Sequence, residues 1–200
     1  IFLIMAITDL PEDILHRYEV HEYRHSEAIL KNDFPSEYKD VIELLRNFTL
    51  KKSEILTPGG SKSPIAGNLD SFLYERDWIE HNFQTTIIID GVEHATPTHK
   101  IDCYKNRVAL EVEWNNKDPF FDRDLNNFRL LYERKAISLG IIITRCYDLK
   151  DIFNELGKNS SYGTSTTHLG KLLPRIEGGG GGGCPLLVFG IHKNNYDATS

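Results

Sequence analysis

The segment 108–114 constrains the fold of this chain more than any other stretch. Two kinds of residue alternate along it, apolar Val108, Leu110, Val112 and Trp114 on one side and Ala109, Glu111 and Glu113 on the other. A period of two residues predicts a β-strand, because successive side chains of a strand point to opposite faces of the sheet. Glu111 and Glu113 are therefore expected to project from the same face.

The segments on either side of this strand predict an α/β core. Before it, the β-branched run 87–89 ends at Asp90-Gly91, a hairpin-type turn signal, and a further extended segment follows Pro97. After it, Asp122 or Asp124 can cap a helix that leads into the strongly apolar run 141–144, which is typical of a central strand. The order strand, helix, strand is that of an α/β fold.

The rest of the chain predicts helices first and loops later. Ser36 and the pair Ser63-Pro64 are candidate starts of two helices with apolar residues at helical spacing. Beyond the core lie a polar stretch at 159–167, six consecutive glycines at 178–183 and an apolar strand at 186–191. We interpret the glycine run as a mobile connection, with close approach of its backbone to DNA as the alternative.

Composition favours a single domain over residues 1–200. With 200 residues and 40% hydrophobic content, the chain can build one substantial core. We divide it into a mainly helical part at 1–84, a catalytic core at 85–145, and loops with a terminal strand at 146–200. The apolar run 1–7 lacks a basic flank and is soon followed by acids, so it resembles neither a signal peptide nor a membrane span. We expect a cytoplasmic protein.

Net charge and cysteine content argue against some kinds of nucleic-acid binding and metal binding. A net charge of −6 argues against a protein that coats nucleic acid through bulk electrostatics, although a local basic cleft remains compatible with it. Cys103, Cys146 and Cys184 are odd in number and widely spaced, which favours free thiols over disulfides or a thiolate metal site.

Three carboxylates form the candidate catalytic group. Asp102 lies on an extended segment, residues 105–107 can turn the chain, and Glu111 and Glu113 return on the next strand. Hard oxygen ligands without sulfur suit Mg2+, which can activate water for phosphodiester hydrolysis. The spacing alone is weak evidence, since 29 of the 200 residues are acidic. Two like charges on one strand face repel unless a cation lies between them, and this favours a metal site.

The same residues resemble a known family. Asp102, eight residues and then Glu111-Val112-Glu113 resemble the Asp...Glu-x-Lys nuclease motif with its third position altered. Residues 105–114 are similar to the active-site strand of the BglII and BstYI type II restriction endonucleases. Residues 23–30 resemble the amino-terminal segment of BglII, and residues 185–191 resemble the terminal strand of BstYI. The similar patches occur in the same order over most of the chain.

This resemblance implies a PD-(D/E)xK core, with a central mixed sheet flanked by helices. It also implies a homodimer that cuts both strands of a short palindromic DNA site with Mg2+, in a restriction–modification system with a cognate DNA methyltransferase in the host. Asp102 and Glu111 match the metal ligands, assisted by the backbone carbonyl of Val112. The third position departs from the pattern, because the family usually has Gln there, many nucleases have Lys, and BamHI has Glu. Glu113 is a candidate for orienting or deprotonating the attacking water, or for holding a second metal.

Two polar segments match the positions at which the related enzymes contact DNA. Asparagine can pair with adenine and lysine can reach guanine or a phosphate, although both also suit a polar turn. Short hydroxyls suit groove contacts and equally any surface loop. The candidate DNA-binding residues are Asn115, Asn116, Lys117, Ser160, Ser161, Tyr162, Thr164, Ser165 and Thr166. Glu80 and then His81 are candidates for an auxiliary catalytic group, against the alternative of surface side chains.

Two other functions remain open at this point. A nuclease of the same fold could act in repair or recombination, on junctions or damaged ends. A DNA-binding protein without catalysis could carry the same acids as decoration of a strand. The resemblance suggests a GATC-centred site, but the reading loops differ from both relatives, so the sequence leaves the recognition site undetermined.

Overall fold

A computed structural model describes residues 10–58 and 62–200 of the chain. The strands, in chain order, are β1 (Tyr18–Tyr23), β2 (Leu50–Lys51), β3 (Ile79–His81), β4 (Gln84–Ile89), β5 (Val92–Pro97), β6 (Ile101–Lys105), β7 (Val108–Glu113), β8 (Leu139–Arg145), β9 (Leu186–Ile191) and β10 (Tyr196–Asp197). The helices are α1 (Glu12–Arg17), α2 (Ser26–Asp33), α3 (Pro35–Asn47), α4 (Lys52–Leu56), α5 (Pro64–Tyr74), α6 (Pro119–Glu133), α7 (Lys150–Glu155) and α8 (Leu169–Glu177).

The centre of the molecule is a six-stranded sheet in the order β1-β9-β8-β7-β6-β3. Strands β7, β8 and β9 are parallel, whereas β1, β6 and β3 pair with their neighbours in the antiparallel sense. The mixed sheet flanked by helices confirms the predicted fold class. The carboxyl ends of β7, β8 and β9 meet at one edge, which is where open α/β sheets bind their ligands.

Each face of the sheet is covered by its own layer of helices. On one face Leu110 of β7 belongs to the same apolar core as Leu73 of α5. On the other face Ala109 packs in a second core with Phe128 of α6 and Leu172 of α8. As the alternation at 108–114 predicts, side chains at even and odd positions of β7 lie on opposite faces of the sheet and enter different cores.

Two helices begin at prolines and not at the residues that the sequence suggested. Helix α3 starts at Pro35 with Phe34 at its N-cap, and α6 starts at Pro119 with Asp118 at its N-cap. Proline fits the first turn because its ring fixes φ and its missing N–H has no partner there anyway. The prediction that Asp122 or Asp124 caps α6 is wrong, since both lie inside the helix. Ser63 does cap α5, where its hydroxyl accepts from the N–H of Ala66 at 3.1 Å.

The six-glycine run is a packed helix end and turn, so the interpretation as a mobile connection is wrong. Gly180 N–H donates to the carbonyl of Arg175 and Gly179 N–H to that of Ile176, the two bonds of a Schellman motif that ends α8. Gly179 has φ +90°, which glycine adopts without strain. At Gly182, with φ +57°, a Cβ would lie 2.6 Å from Cγ of Arg129.

Several smaller predictions have clear outcomes. The hairpin of β4 and β5 forms around Asp90-Gly91, and the three cysteines are free and buried. Among residues 10–58 and 62–200, no helix is long and apolar enough to cross a membrane. The apolar run 1–7 lies outside the described residues. The central sheet takes strands from all three parts into which the sequence was divided.

Candidate active site

The first two candidate carboxylates lie together on the hairpin of β6 and β7. Asn106 and Arg107 turn the chain between these strands, with φ of 46° and 71°. The backbone N–H of Asp102 donates to Oε2 of Glu111 at 3.3 Å, and the N–H of Val112 donates to Oδ2 of Asp102 at 3.4 Å. These reciprocal bonds fix the two carboxylates relative to each other across the hairpin.

The face of β7 that carries Glu111 and Glu113 is covered by α6. Both glutamates are 1% exposed, and so is Asp124, which α6 brings against them. Arg123 contacts the carboxyl groups of both Glu113 and Asp124, which places these two acids side by side. Four acids, including the half-buried Asp102, thus converge beneath one face of the sheet.

Two polar side chains hold Glu113 from either side. Asn116 donates through Nδ2 to Oε2 of Glu113 at 2.8 Å. Arg123 contacts Oε1 of the same carboxyl group at 3.2 Å and donates through Nε to Oδ1 of Asp124 at 2.8 Å. Glu113 therefore has a fixed orientation and a shared cation, whereas Glu111 receives its polar contact from the backbone of β6.

Negative charge is crowded and poorly solvated in this group. Burial, followed by the neighbouring Asp124, raises the pKa of Glu113 to about 9. Burial also raises the pKa of Glu111 well above its ordinary value, with further contributions from Asp124 and Asp102. These shifts favour the protonated, neutral forms of both glutamates in the free protein. An additional cation would stabilise their ionised forms, which one arginine cannot do for four acids.

The donor set fits a divalent cation of the magnesium type. Oε1 of Glu111 and Oδ2 of Asp124 are buried and without a hydrogen-bond partner, and a buried carboxylate oxygen without a partner is costly. Within residues 10–58 and 62–200, no three acidic, histidine or cysteine side chains surround one point as a ready-made metal cage. Mg2+ does not require such a cage, because it is usually held by one or two carboxylates with water and substrate phosphates.

A further buried acid lies behind the hairpin, on the opposite side of β6. Asp70 of α5 is 1% exposed, forms an ion pair with Lys62, and accepts a hydrogen bond from Sγ of Cys103 at 3.6 Å. Burial raises the pKa of Asp70, and Asp102 adds to this effect through its charge. The hydroxyl of Tyr74, at the end of the same helix, donates to the carbonyl of Asp102 at 3.0 Å. Helix α5 therefore supports the Asp102 end of the hairpin.

The two auxiliary candidates lie on β3, at the sheet edge beside β6. Glu80 is exposed and forms an ion pair with Nζ of Lys100 at 2.8 Å. The imidazole of His81 stacks on Tyr104 with ring centroids 5.1 Å apart and meets Phe83 edge-on. Both side chains thus have partners outside the group of four acids.

The two candidate DNA-binding segments are hydrogen-bonded to each other. The N–H of Thr167 donates to the carbonyl of Asn116 at 2.8 Å, and the N–H of Asp118 donates to the carbonyl of Ser165 at 3.1 Å. Lys117 and Thr166 face each other as an isolated antiparallel bridge. One continuous polar surface therefore follows the carboxyl end of β7.

The candidates on this surface differ in their exposure. Tyr162 is half-buried, with its ring stacked on Phe153 at 4.0 Å, and Nε1 of Trp114 donates to its hydroxyl at 3.4 Å. Asn115 and Thr166 are also half-buried. The exposed members are Asn116, Lys117, Ser160, Ser161, Thr164 and Ser165.

The sequence reasoning missed Asp124, Arg123 and Asp70 as parts of this region. Asp124 and Asp70 each occupy a position on the apolar stripe of a helix, next to Leu125 and Leu69. A carboxylate on a core-facing stripe is a signal that could have identified both. Arg123 carries no such signal in the sequence.

The chain is similar in sequence to a known protein family. No curated protein matches the chain. Residues 18–191, well over half of the chain, match the sequence model of the family described as restriction endonuclease BglII/BglIII. The matched region contains the hairpin, α6 and both polar segments.

Proposed function

Because the chain belongs to the BglII/BglIII family of restriction endonucleases, and is thus a nuclease with DNA as its substrate, we propose a specific reaction for it. It hydrolyses one phosphodiester bond in each strand of double-stranded DNA at a short palindromic site, and the reaction depends on Mg2+. The protein acts as a homodimer, since a two-fold symmetric site is matched by a two-fold symmetric protein.

The hairpin of Asp102 and Glu111 is the observation that carries this proposal. Its two carboxylates are held in place by backbone N–H groups, and Oε1 of Glu111 has no partner among the described residues. Asp102 and Glu111 would hold the cation together with the backbone carbonyl of Val112. When bound, the cation supplies an activated water and neutralises charge on the phosphate.

Glu113 has a positioning role in this scheme. Asn116 and Arg123 fix both of its oxygens, so that it can orient the attacking water or, in an alternative version, deprotonate it or hold a second metal. The variant Glu113→Gln keeps the shape and the contact with Asn116 but removes the base. Cleavage by Glu113→Gln at the wild-type rate would eliminate the general-base version and leave orientation of the water or support of a second metal as its role.

The polar surface after β7 is proposed to contact the DNA. Asn116 and Lys117 are exposed beside the acids, and Ser160, Ser161, Thr164 and Ser165 lie on the adjoining loop. Amides, hydroxyls and lysine are the groups that read base edges and phosphates. A partner methyltransferase that protects the host's own sites, and a cytoplasmic location with the host DNA, belong to the same proposal.

Digestion of DNA of known sequence tests this function directly. We expect Mg2+ to produce discrete fragments whose sequenced ends share one short palindrome, and chelation with EDTA to abolish them. The variant Asp102→Ala is the matched control and should bind DNA without cutting it. Nicks confined to junctions or damaged ends would instead support a repair nuclease. Binding without cleavage in any divalent metal would support a DNA-binding protein.

A further inference from the structure

Arg145 is a buried cation at the carboxyl end of β8. Its side chain is 2% exposed. Strand β8 lies beside β7, and Thr144 is aligned with Glu113, so Arg145 is one residue beyond the level of the acids. Its side chain points to the opposite face of the sheet, where it meets the rings of Phe153 and Tyr162 at 5.4 and 5.8 Å.

The charge of Arg145 has no carboxylate partner among residues 10–58 and 62–200. Its Nη2 donates to Oγ1 of Thr166 at 2.7 Å, and its Nε is buried without a hydrogen-bond partner. Burial lowers the pKa of this guanidinium to about 10. The contacts with aromatic rings moderate the cost of burial, but they supply no negative charge. A buried arginine with a free donor is thus left to be satisfied by something outside the chain.

Arg145 borders a cavity of about 270 Å³ under the loop 159–168. Lys150 adds a second cation at its rim, and Asn154 and Asn159 add amides. His168 also lines it and has a buried Nδ1 without a partner. Tyr147, 51% exposed, forms part of the entrance. Two cations and several neutral hydrogen-bonding groups around one space match an oxyanion with more than one negative charge.

We propose that this cavity binds a phosphate group through the guanidinium of Arg145, assisted by Lys150. A guanidinium presents parallel N–H donors that match two oxygens of a phosphate, and Lys adds a point charge. The group comes either from a DNA strand or from free phosphate and phosphate esters. Thr166, which orients Arg145, also bridges to Lys117 of the polar surface, so a DNA strand on that surface passes close to the cavity.

The proposal depends on the proposed function only where the phosphate belongs to DNA. Binding of inorganic phosphate alone is therefore the first test, because it does not require nuclease activity. We expect phosphate, at constant ionic strength, to raise the melting temperature of the wild-type protein. The variant Arg145→Met should bind phosphate at least tenfold more weakly by calorimetry. Arg134→Met removes an exposed arginine from the end of α6 and should bind phosphate as the wild type does.

Lys150→Met provides a second variant at an exposed position, in case Arg145→Met fails to fold. We expect it to weaken phosphate binding severalfold without changing the circular dichroism spectrum. Equal phosphate affinity of the wild type, Lys150→Met and any folded Arg145 variant would overturn the proposal, as would the absence of phosphate binding together with unchanged DNA affinity.

A second measurement identifies the source of the phosphate. DNA binding is measured in the Asp102→Ala background with Ca2+, so that cleavage does not interfere. If the phosphate belongs to DNA, Arg145→Met should weaken binding about tenfold and reduce the salt dependence by about one phosphate contact. One neutral methylphosphonate linkage should then weaken the wild-type complex but not that of Arg145→Met. Phosphate binding with unchanged DNA affinity would assign the cavity to a free phosphate or ester.

Discussion

The acids beneath α6 and the arginine beneath the loop 159–168 are two versions of the same arrangement with opposite charge. Glu111 and Glu113 come from β7, Arg145 comes from β8, and both groups lie near the edge where the parallel strands end. Each group is buried, and each has a polar atom without a partner. They lie on opposite faces of the sheet, so neither can neutralise the other at contact distance.

This difference in sign indicates what each group is for. A folded chain gains little from burying uncompensated charge, since the loss of hydration exceeds what distant attractions return. Groups of this kind are commonly retained where a ligand supplies the missing charge. The acids suit a cation, whereas Arg145 suits an anion. DNA with a bound divalent metal would supply both.

Removal of Asp102 should have the largest effect on the cleavage rate and should distinguish the acids from Arg145 most clearly. Asp102→Ala deletes one of the two carboxylates that we propose as metal ligands, and metal assistance contributes several kcal/mol to phosphate hydrolysis. We expect the single-turnover cleavage rate to fall by roughly 10³-fold. Arg145→Met should leave that rate, measured at saturating DNA, within about threefold of the wild type. A comparable loss of rate in both variants would show that the two groups act as one catalytic unit.

Removal of the charge of Asp124 should have an intermediate effect. Asp124 shares Arg123 with Glu113 but lies outside the hairpin pair, so we expect it to act through other side chains. We expect Asp124→Asn to reduce the cleavage rate by about 10- to 100-fold and to raise the Mg2+ concentration needed for half-maximal cleavage. Both effects are typical of residues that support metal ligands. The measurement is the cleavage rate as a function of Mg2+ concentration.

Asp122→Asn is the matched control for this variant. Asp122 lies on the same helix and is exposed, where it forms an ion pair with Arg175. It should cut at the wild-type rate. A metal requirement that is identical in Asp124→Asn and the wild type would contradict the positioning role.

The sequence predicts the strands of this edge and the acids of β7, but it identifies neither Asp124 nor Arg145 as a buried charge. Alternation in 108–114 places Glu111 and Glu113 on one face, and the apolar run 141–144 identifies β8. Both follow from local periodicity, which needs no knowledge of the partner layer. Asp124 was misread as a helix cap because Pro119, and not an acid, opens α6.

Arg145 shows why the remaining part could not be predicted. Its burial depends on the loop 159–168 folding over the end of β8, about twenty residues later in the sequence. Thr166 and Tyr162 are close to Arg145 only after that loop has closed. Tertiary packing of this kind leaves no periodic signal. The same holds for the glycine run, whose composition suggests flexibility although its backbone completes a helix cap.

Neutralisation of either group should stabilise the protein when no ligand is present. Replacement of a buried charge by a neutral side chain of similar volume is often stabilising, and we expect about 1–2 kcal/mol for Glu111→Gln and for Arg145→Met. The melting temperature should rise by about 2–4 °C per kcal/mol in a chain of this size. The control Glu93→Gln, at an exposed position of the β4–β5 hairpin, should leave it unchanged.

A fall in melting temperature for either variant would mean that its charge is already compensated in the free protein. Added Mg2+ should separate the two variants. It should stabilise Arg145→Met as it stabilises the wild type, because ligands that bind only the folded state shift unfolding by mass action. Glu111→Gln should lose most of this stabilisation.

The smallest effect is the coupling between the two groups, and it decides whether they are independent. Glu111 is aligned with Ile142, and Arg145 lies three residues further along β8, or about 10 Å at ~3.3 Å per residue, with its side chain on the other face. Changes at that separation usually add to within about 0.5 kcal/mol. The double variant Glu111→Gln/Arg145→Met should therefore gain the sum of the two single effects in chemical denaturation. A gain that exceeds that sum by more than 1 kcal/mol would show that the acids and the arginine already stabilise each other through the sheet, because each single variant would then lose that attraction as well. The cavity would in that case lose its main argument for an external anion.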